Sequence, residues 1–128
     1  MGETILVTGA SAGFGQAICH RLVAEGHRVI GAARRIEKLQ ALQEELGEAF
    51  YPLQMDVTDP SQVDHALASL PKAWERIDVL VNNAGLALGI APAHEAEVAD
   101  WLIMIQTNII GLTYLTRQIL PQMVERND

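Results

Sequence analysis

Three closely spaced glycines limit what this chain can fold into. Residues 8–15 read Thr-Gly-Ala-Ser-Ala-Gly-Phe-Gly, directly after the apolar residues 5–7 and at the start of a helical pattern. Glycine permits a sharp backbone turn and lets a bulky anion approach closely. The N–H groups at the start of the following helix, and the positive end of its dipole, then face that anion. A strand, a glycine turn and a helix in this order favour a phosphate-binding loop, with a tight turn that binds nothing as the alternative.

Predicted strands and helices alternate over the first 81 residues. The apolar runs predicted as strands are residues 4–7, 28–33, 50–55 and 77–81. The helical stripes between them are Phe14, Ile18 and Leu22; Ile36, Leu39, Leu42 and Leu46; and Val63, Leu67 and Leu70. This alternation predicts an α/β fold, a Rossmann-type doubly wound parallel sheet in three α-β-α layers. Right-handed crossovers place the first three strands in the order 3-2-1.

Glycine and polar residues mark the ends of the predicted helices. Gly26 is placed to end the first helix as a left-handed cap, and Gly47 ends the second. Asp59, Pro60 and Gln62 fit an N-cap, a first-turn proline and a capping-box partner. They therefore predict where the third helix begins.

The loops that follow the predicted strands carry the candidate functional residues. In open parallel sheets, ligands bind at the carboxyl ends of the strands, near the point where the strand order changes direction. Residues 8–15, 33–35, 56–57 and 82–85 all begin at such ends. We therefore expect these four loops to converge on one crevice.

A second motif, Asn-Asn-Ala-Gly at residues 82–85, follows the apolar residues 79–81. With Thr-Gly-x-x-x-Gly-x-Gly, it makes the whole chain resemble the short-chain dehydrogenase/reductase family. Gly-Phe-Gly at residues 13–15, Arg-Arg at 34–35 and the segment 82–89 resemble in particular the family's NADP-dependent 3-hydroxy acid (serine) dehydrogenases. The resemblance implies an oxidoreductase that transfers hydride between NADP(H) and a small 3-hydroxy acid such as serine. It also places the fourth strand on the other side of the first.

The resemblance further implies which residues bind the cofactor. Asp56 would accept a hydrogen bond from the adenine amino group, with Val57 beside the ring; an aspartate that only caps the following turn is the alternative. Ser11 would add a hydroxyl at the glycine turn, or would only cap the backbone. Asn82 would instead brace the sheet. The full predicted set is Gly9, Ser11, Ala12, Gly13, Phe14, Gly15, Arg34, Arg35, Asp56, Val57, Asn83, Ala84 and Gly85.

Arg34 and Arg35 predict a preference for NADP over NAD. Arg34 stands 19 residues after Gly15, close to where NAD-binding chains place an acidic residue for the ribose 2′-hydroxyl. Guanidinium groups form charge-assisted, often paired hydrogen bonds with phosphate. Two solvated arginines at a helix start are the alternative, although positive charge there opposes the helix dipole.

Asn108 is the catalytic residue that the resemblance identifies within this chain, in a supporting role only. In the family this asparagine distorts its helix and holds a water in the proton relay; a buried, satisfied asparagine without that role is the alternative. The family's catalytic tyrosine is followed four residues later by a lysine, and neither Tyr51 nor Tyr114 has one at that spacing. We therefore expect residues 1–128 to form a single, incomplete NADP-binding domain that is inactive alone. A non-catalytic NADP-binding module and a helix-mediated interaction protein are the alternatives.

Residues 95–126 predict a long helix with interruptions at Asn108 and Gly111. Residues 101–105 are apolar on nearly every side, which is typical of a helix buried on more than one face. We expect one face to cover the sheet and the other to meet a partner subunit in a homo-oligomer; deep burial within a single chain is the alternative. A sheet that ends at residues 79–81 would expose an apolar edge, so we expect the isolated chain to associate or to be marginally stable.

Charge and composition limit the other partners. A formal charge of −7 argues against nucleic acid or an anionic membrane as the main partner. The resemblance implies a small-molecule substrate instead. No run approaches the roughly 18 apolar residues that span a bilayer, and the N-terminus does not have the pattern of a signal peptide. The single Cys19 cannot form an internal disulfide, which favours the cytoplasm and a buried, inert thiol. The histidine spacing predicts no metal site.

Overall fold

Strands and helices alternate as the sequence predicts. The computed structural model describes residues 2–11, 13–83 and 97–126. The strands are β1 (Thr4–Thr8), β2 (Arg28–Ala33), β3 (Phe50–Gln54) and β4 (Val79–Val81). The helices are α1 (Gly13–Ala24), α2 (Ile36–Leu46), α3 (Pro60–Ala68), α4 (Val98–Ile105) and α5 (Leu112–Glu125), with a π-helical turn (Gln106–Gly111) between the last two. Short 3₁₀ turns, Gly47–Ala49 and Lys72–Trp74, precede β3 and β4.

The four described strands form one parallel sheet in the order β3-β2-β1-β4. Leu6 of β1 lies in register with Ile30 of β2 on one side and with Leu80 of β4 on the other. The order confirms the predicted doubly wound arrangement, in which the chain changes direction across the sheet after β3. Because the strands are parallel, their carboxyl ends all reach the same edge, where ligands bind in such sheets.

Helices cover both faces of the sheet. Side chains alternate between the two faces of a strand, so Leu6 enters one apolar cluster while Ile5 and Val7 enter another. The cluster around Leu6 is completed by α3 and α5, and the other cluster by α1 and α2. The main helical contributions are Val63, Ala66, Leu115 and Ile119 on the first face and Cys19, Leu39 and Leu42 on the second. The three predicted layers are therefore confirmed.

The helix ends follow the predicted caps, with one difference. Gly26 and Gly47 have φ angles of 92° and 75°, in the region where glycine avoids the steric cost of a side chain. The Asp59 carboxylate caps α3 and accepts the Gln62 N–H at 3.3 Å. The capping box is wrong in detail, because the Gln62 Oε1 atom accepts the Asp56 N–H at 3.3 Å. Gln62 thus holds the loop after β3 as well as the start of α3.

The buried face of α1 is rotated from the predicted stripe. Phe14 is 84% exposed, whereas Gly15 and Cys19 are buried. Ile18 and Leu22 lie at the border of the buried face and pack against the sheet. The rotation follows from Gly15, which lies directly against the turn after β1 and so brings the face of Gly15 and Cys19 inward. The buried thiol is confirmed, and burial raises the pKa of Cys19 to about 12.

The long helix runs continuously from Val98 to Glu125 and contains the predicted interruption as the π-helical turn. Residues 95 and 96 of the predicted helix lie outside the described residues. The α5 half is packed on the sheet through Leu115 and Ile119. Large apolar side chains of α4 and the π-helical turn are exposed instead: Val98, Leu102, Ile103, Ile105, Ile109 and Ile110. In the part of the chain that the structure describes, deep burial is therefore wrong for α4, whereas the inner face of α5 is buried.

By length and average composition the same helix could cross a membrane, although polar residues interrupt it, so the prediction that no run approaches about 18 apolar residues still holds. The mean hydropathy of this helix is high because its exposed face is apolar in addition to its buried face. A helix packed in a protein core passes the same test. Here Leu115 and Ile119 contact the sheet, and the Tyr114 hydroxyl donates to the Asp64 carboxylate of α3 at 2.8 Å. Its α5 half thus belongs, together with α3, to one helical layer of the fold.

Candidate functional site

The loops after β1, β2 and β3 lie side by side at the carboxyl edge of the sheet. The Ala10 N–H donates to the Ala32 carbonyl at 3.1 Å, which joins the glycine turn to the end of β2. The Met55 N–H donates to the Ala33 carbonyl at 2.9 Å, which joins the loop after β3 to the same strand. Three of the predicted loops therefore form one continuous surface.

The glycine turn leaves the first turn of α1 accessible. Gly9 and Gly13 have φ angles of 63° and 56°, which residues with side chains rarely adopt. A Cβ atom on the buried Gly15 would overlap the Gly9 carbonyl oxygen, whereas one on Gly13 would meet open space. Ser11 is half-buried, and its hydroxyl bonds to no other residue that the structure describes. The predicted Ala12 lies outside the described residues.

Arg34 and Arg35 extend into solvent from the end of β2. Arg35 is the N-cap residue of α2, in an extended backbone conformation and without a side-chain cap. The Gln54 Nε2 atom donates to the Arg34 carbonyl at 3.1 Å and fixes the backbone there. Neither guanidinium has a hydrogen bond or ion pair within residues 2–11, 13–83 and 97–126. Two uncompensated positive charges at this edge favour an anionic ligand.

Asp56 uses one oxygen of its carboxylate to hold the loop after β3. Its Oδ1 atom accepts the Thr58 N–H at 2.9 Å and the Thr58 hydroxyl at 2.6 Å, so the turn-capping alternative describes a real contact. Its Oδ2 atom accepts no hydrogen bond from the described part of the chain. Capping and ligand binding are therefore compatible, since the turn orients a carboxylate whose second oxygen is available. Val57 is half-buried next to it.

Thr8 joins the end of β4 to the glycine turn. Its hydroxyl accepts the Asn83 N–H at 2.9 Å and lies 3.4 Å from the Val81 carbonyl oxygen, to which it donates. The Asn83 Nδ2 atom also donates to the Gly9 carbonyl at 3.4 Å. Asn83 therefore contacts the glycine turn, and through this turn the start of the fourth loop is joined to the surface formed by the other three. Thr8 was not among the predicted site residues, although a polar residue ending an apolar strand is a signal for this role.

Asn82 braces the sheet against the long helix, as predicted. Its Nδ2 atom donates to the Thr116 hydroxyl at 3.0 Å, and that hydroxyl donates to the Leu112 carbonyl at 2.8 Å. The predicted Ala84 and Gly85 lie outside the described residues.

Asn108 is exposed and lies in the π-helical turn, so the predicted interruption of the helix is confirmed and the alternative of a buried asparagine is wrong. Single π-helical turns within α-helices are frequent at functional sites. The same turn contacts the loop after β3: Gly111 lies against the Val57 backbone, and the Gln106 Nε2 atom donates to the Thr58 carbonyl at 3.3 Å. No pattern in the sequence indicates that Gln106 contacts Thr58, 48 residues earlier in the chain.

The displaced pKa values among the described residues reflect structural contacts. Hydrogen bonds from Ser61 and Gln62 lower the pKa of Asp59 at the α3 cap. A hydrogen bond to Asp64 raises the pKa of Tyr114. In the part of the chain that the structure describes, no group of His, Cys, Asp or Glu side chains could hold a metal ion. At this edge the structure therefore brings two exposed guanidinium groups and the start of α1 together with carboxylate and amide groups.

Comparisons with known proteins agree with these features. Residues 3–128 match the family model described as short chain dehydrogenase. The NADP-dependent 3-hydroxy acid dehydrogenase YdfG of Escherichia coli K12 is 56% identical over 123 residues, which are 96% of this chain and 50% of that protein. Serine 3-dehydrogenase of Rhizobium radiobacter is 52% identical over 126 residues, which are 98% of this chain and 51% of that protein.

A solved structure is also similar to this chain, both in sequence and in fold. The closed form of serine dehydrogenase complexed with NADP+ is 56% identical and has a TM-score of 0.94, covering 97% of this chain and 50% of that chain. This chain therefore spans about half the length of the curated relatives that it matches.

Proposed function

Because this chain belongs to the short chain dehydrogenase family, we propose that it binds NADP at the carboxyl edge of its sheet, in preference to NAD. The observation that carries this proposal is the pair Arg34 and Arg35, exposed and without counter-charges in the described part of the chain. The 2′-phosphate distinguishes NADP from NAD, and guanidinium groups bind phosphate with charge-assisted hydrogen bonds. The relatives named as NADP-dependent, and the one solved with NADP+, support the same cofactor.

The remaining loops would bind the other parts of NADP. Gly9, Ser11 and residues 12–15 would hold the pyrophosphate at the start of α1, where N–H groups and the helix dipole favour an anion. The Asp56 Oδ2 atom would accept a hydrogen bond from the adenine amino group, with Val57 beside the ring. Residues 83–85 would line the ribose and nicotinamide.

The reaction proposed for the whole protein is hydride transfer between NADP(H) and a small 3-hydroxy acid such as serine. The names of the relatives from Escherichia coli and Rhizobium radiobacter support this substrate class. Bound NADP would supply the hydride acceptor, and Asn108 would support the proton relay from the π-helical turn.

Residues 1–128 would bind the cofactor without turning over substrate at an enzymatic rate. They contain no Tyr-x-x-x-Lys motif, and loss of general acid–base catalysis costs about 10²–10⁴-fold in rate. The same observation favours a non-catalytic NADP-binding module as the second candidate function. The buried, unpaired Cys19 supports a cytoplasmic location.

We propose in addition that the long helix forms a homo-oligomer contact. Its exposed face carries Leu102, Ile105 and Ile109, which are 62%, 45% and 59% exposed. Contiguous apolar surface of this kind favours association. β4 pairs only with β1 among the described strands, and a groove of about 320 Å³ lies beside it, so its edge offers a second apolar surface.

Calorimetric titration of the 128-residue chain with NADP and NAD tests the cofactor proposal. We expect tighter binding of NADP. Arg35→Ala should weaken NADP binding by roughly tenfold to a hundredfold, since a hydrogen bond to a charged group contributes about 1.5–3 kcal/mol, and should leave NAD binding unchanged.

Arg21→Ala is the matched control. It removes the same charge from the last turn of α1, where the arginine is exposed and pairs with Glu25 at 2.8 Å. Its NADP affinity should equal that of the unmodified chain. Equal affinities for NADP and NAD, or an Arg35→Ala variant with unchanged discrimination, would contradict the proposal.

A further inference from the structure

The π-helical turn packs unusually closely on the loop after β3. Gly111 is buried there, and a Cβ atom on it would lie 2.7 Å from the Val57 carbonyl oxygen and 3.0 Å from its carbonyl carbon. These are backbone atoms, which cannot move aside as the end of a flexible side chain can. Position 111 therefore requires glycine for close approach, and any side chain there must displace the loop, the helix or both.

A hydrogen bond fixes the same loop at its next residue. The Gln106 Nε2 atom donates to the Thr58 carbonyl at 3.3 Å. Thr58 in turn donates through its N–H and its hydroxyl to the Asp56 Oδ1 atom. The position of the Asp56 carboxylate thus depends on Thr58, and the position of Thr58 depends on the π-helical turn.

We propose that Gln106 and Gly111 are positioning residues for the adenine end of the cofactor: they hold the loop of residues 56–58 so that Asp56 recognises the adenine 6-amino group. This inference rests on the proposed function, in which that loop binds adenine. The π-helical turn then has two roles, because it also carries Asn108. The helix distortion would serve cofactor recognition as well as catalysis.

The chemistry of the adenine ring provides a specific measurement. Its 6-amino group donates a hydrogen bond that a carboxylate oxygen can accept. The hypoxanthine analogue of NADP carries an oxygen at that position, which a carboxylate repels. The ratio of the two dissociation constants therefore reports where the Asp56 carboxylate lies. A variant that is only less stable weakens the binding of both nucleotides and leaves the ratio unchanged.

The test is titration of the 128-residue chain and of Gly111→Ala with NADP and with its hypoxanthine analogue. The unmodified chain should prefer NADP by about tenfold or more, as expected for a hydrogen bond to a charged group. Gly111→Ala should bring this preference close to one. Thr113→Ala is the control, because Thr113 is exposed on the same helix and its hydroxyl bonds only within it, to the Ile109 carbonyl. It should keep the full preference.

Gln106→Met provides a second variant if Gly111→Ala does not fold. It keeps the length of the side chain and removes the donor to Thr58, so it should lower the preference for NADP and speed amide hydrogen exchange in residues 56–58 without any nucleotide. A folded Gly111→Ala or Gln106→Met variant with the unmodified preference and exchange would overturn the positioning role. If the unmodified chain binds neither nucleotide, the proposed function fails and this inference with it. If the unmodified chain binds NADP and its hypoxanthine analogue with equal affinity, Asp56 does not recognise the adenine amino group. This inference then fails, whereas the proposed binding of NADP stands.

Discussion

Replacement of Asp78 by alanine would remove a contact on which the edge of the sheet depends. Asp78 precedes β4, and its Oδ2 atom accepts the Thr4 N–H of β1 at 2.9 Å. Its Oδ1 atom accepts the Arg76 Nε–H at 3.2 Å and lies 3.9 Å from Arg126, next to the end of α5. Thr4 is only 7% exposed, so its N–H would have poor access to water once the carboxylate is gone.

The expected destabilisation comes mainly from the hydrogen bond with Thr4. A hydrogen bond to a charged acceptor contributes about 1.5–3 kcal/mol, whereas an exposed ion pair such as the one with Arg76 contributes about 0–1 kcal/mol. We therefore expect Asp78→Ala to lower the free energy of unfolding by about 2–3 kcal/mol near neutral pH. Asp78→Asn keeps an acceptor oxygen without the charge, so its free energy of unfolding should lie between those of the unmodified chain and of Asp78→Ala.

The effect should depend on pH in a defined direction. The hydrogen bond from Thr4, assisted by Arg76, holds the pKa of Asp78 below its ordinary value in the folded chain. The stabilisation by the ionised carboxylate is thus complete above the unfolded pKa, about 3.9, and is lost as the pH falls through the folded value. Urea unfolding at neutral and acidic pH measures this. A difference between the unmodified chain and Asp78→Ala that stays constant down to about pH 3 would refute the reasoning.

Two further predictions concern the core and the long helix. A thiol reagent should leave Cys19 unmodified in the folded chain and modify it in urea, because burial raises its pKa to about 12; rapid modification without denaturant would contradict the buried thiol. Leu102→Glu should shift sedimentation toward a smaller species if the exposed face of α4 forms the oligomer contact, whereas Arg117→Glu, at an exposed polar position of α5, should not. An unchanged sedimentation profile of Leu102→Glu would exclude that face.

The sheet could be predicted from the sequence because its signals are local. Each strand is a short apolar run bounded by a glycine, a proline or a polar cluster, and β2 was predicted at its observed bounds, Arg28–Ala33. Handedness then limits the order of the first three strands, whereas the position of β4 came from the resemblance. The loops of the candidate site followed from the fold, since they are the segments that leave the carboxyl ends of the strands.

The predictions that the structure corrects concern contacts between residues that are far apart along the chain. The exposure of Phe14 depends on how closely Gly15 approaches the turn after β1, which the spacing of apolar residues does not reveal. The contacts of Gln62 with Asp56 and of Gln106 with Thr58 depend on how α3 and the π-helical turn pack against the loop after β3. A helix that is apolar on every side has the same sequence pattern whether it is buried in its own chain or exposed for a partner. The exposure of α4 could therefore be determined only from the structure.

The most direct test of NADP binding at the carboxyl edge is to map amide NMR shifts of the 128-residue chain during titration with NADP. The largest changes should fall on residues 9–15, 34–35, 56–58 and 82–83, which four separate strands bring to one edge. The opposite edge, marked by Lys72–Trp74, should be nearly unaffected. Shifts concentrated at that opposite edge, or the absence of any saturable change, would contradict a cofactor site formed by these four loops.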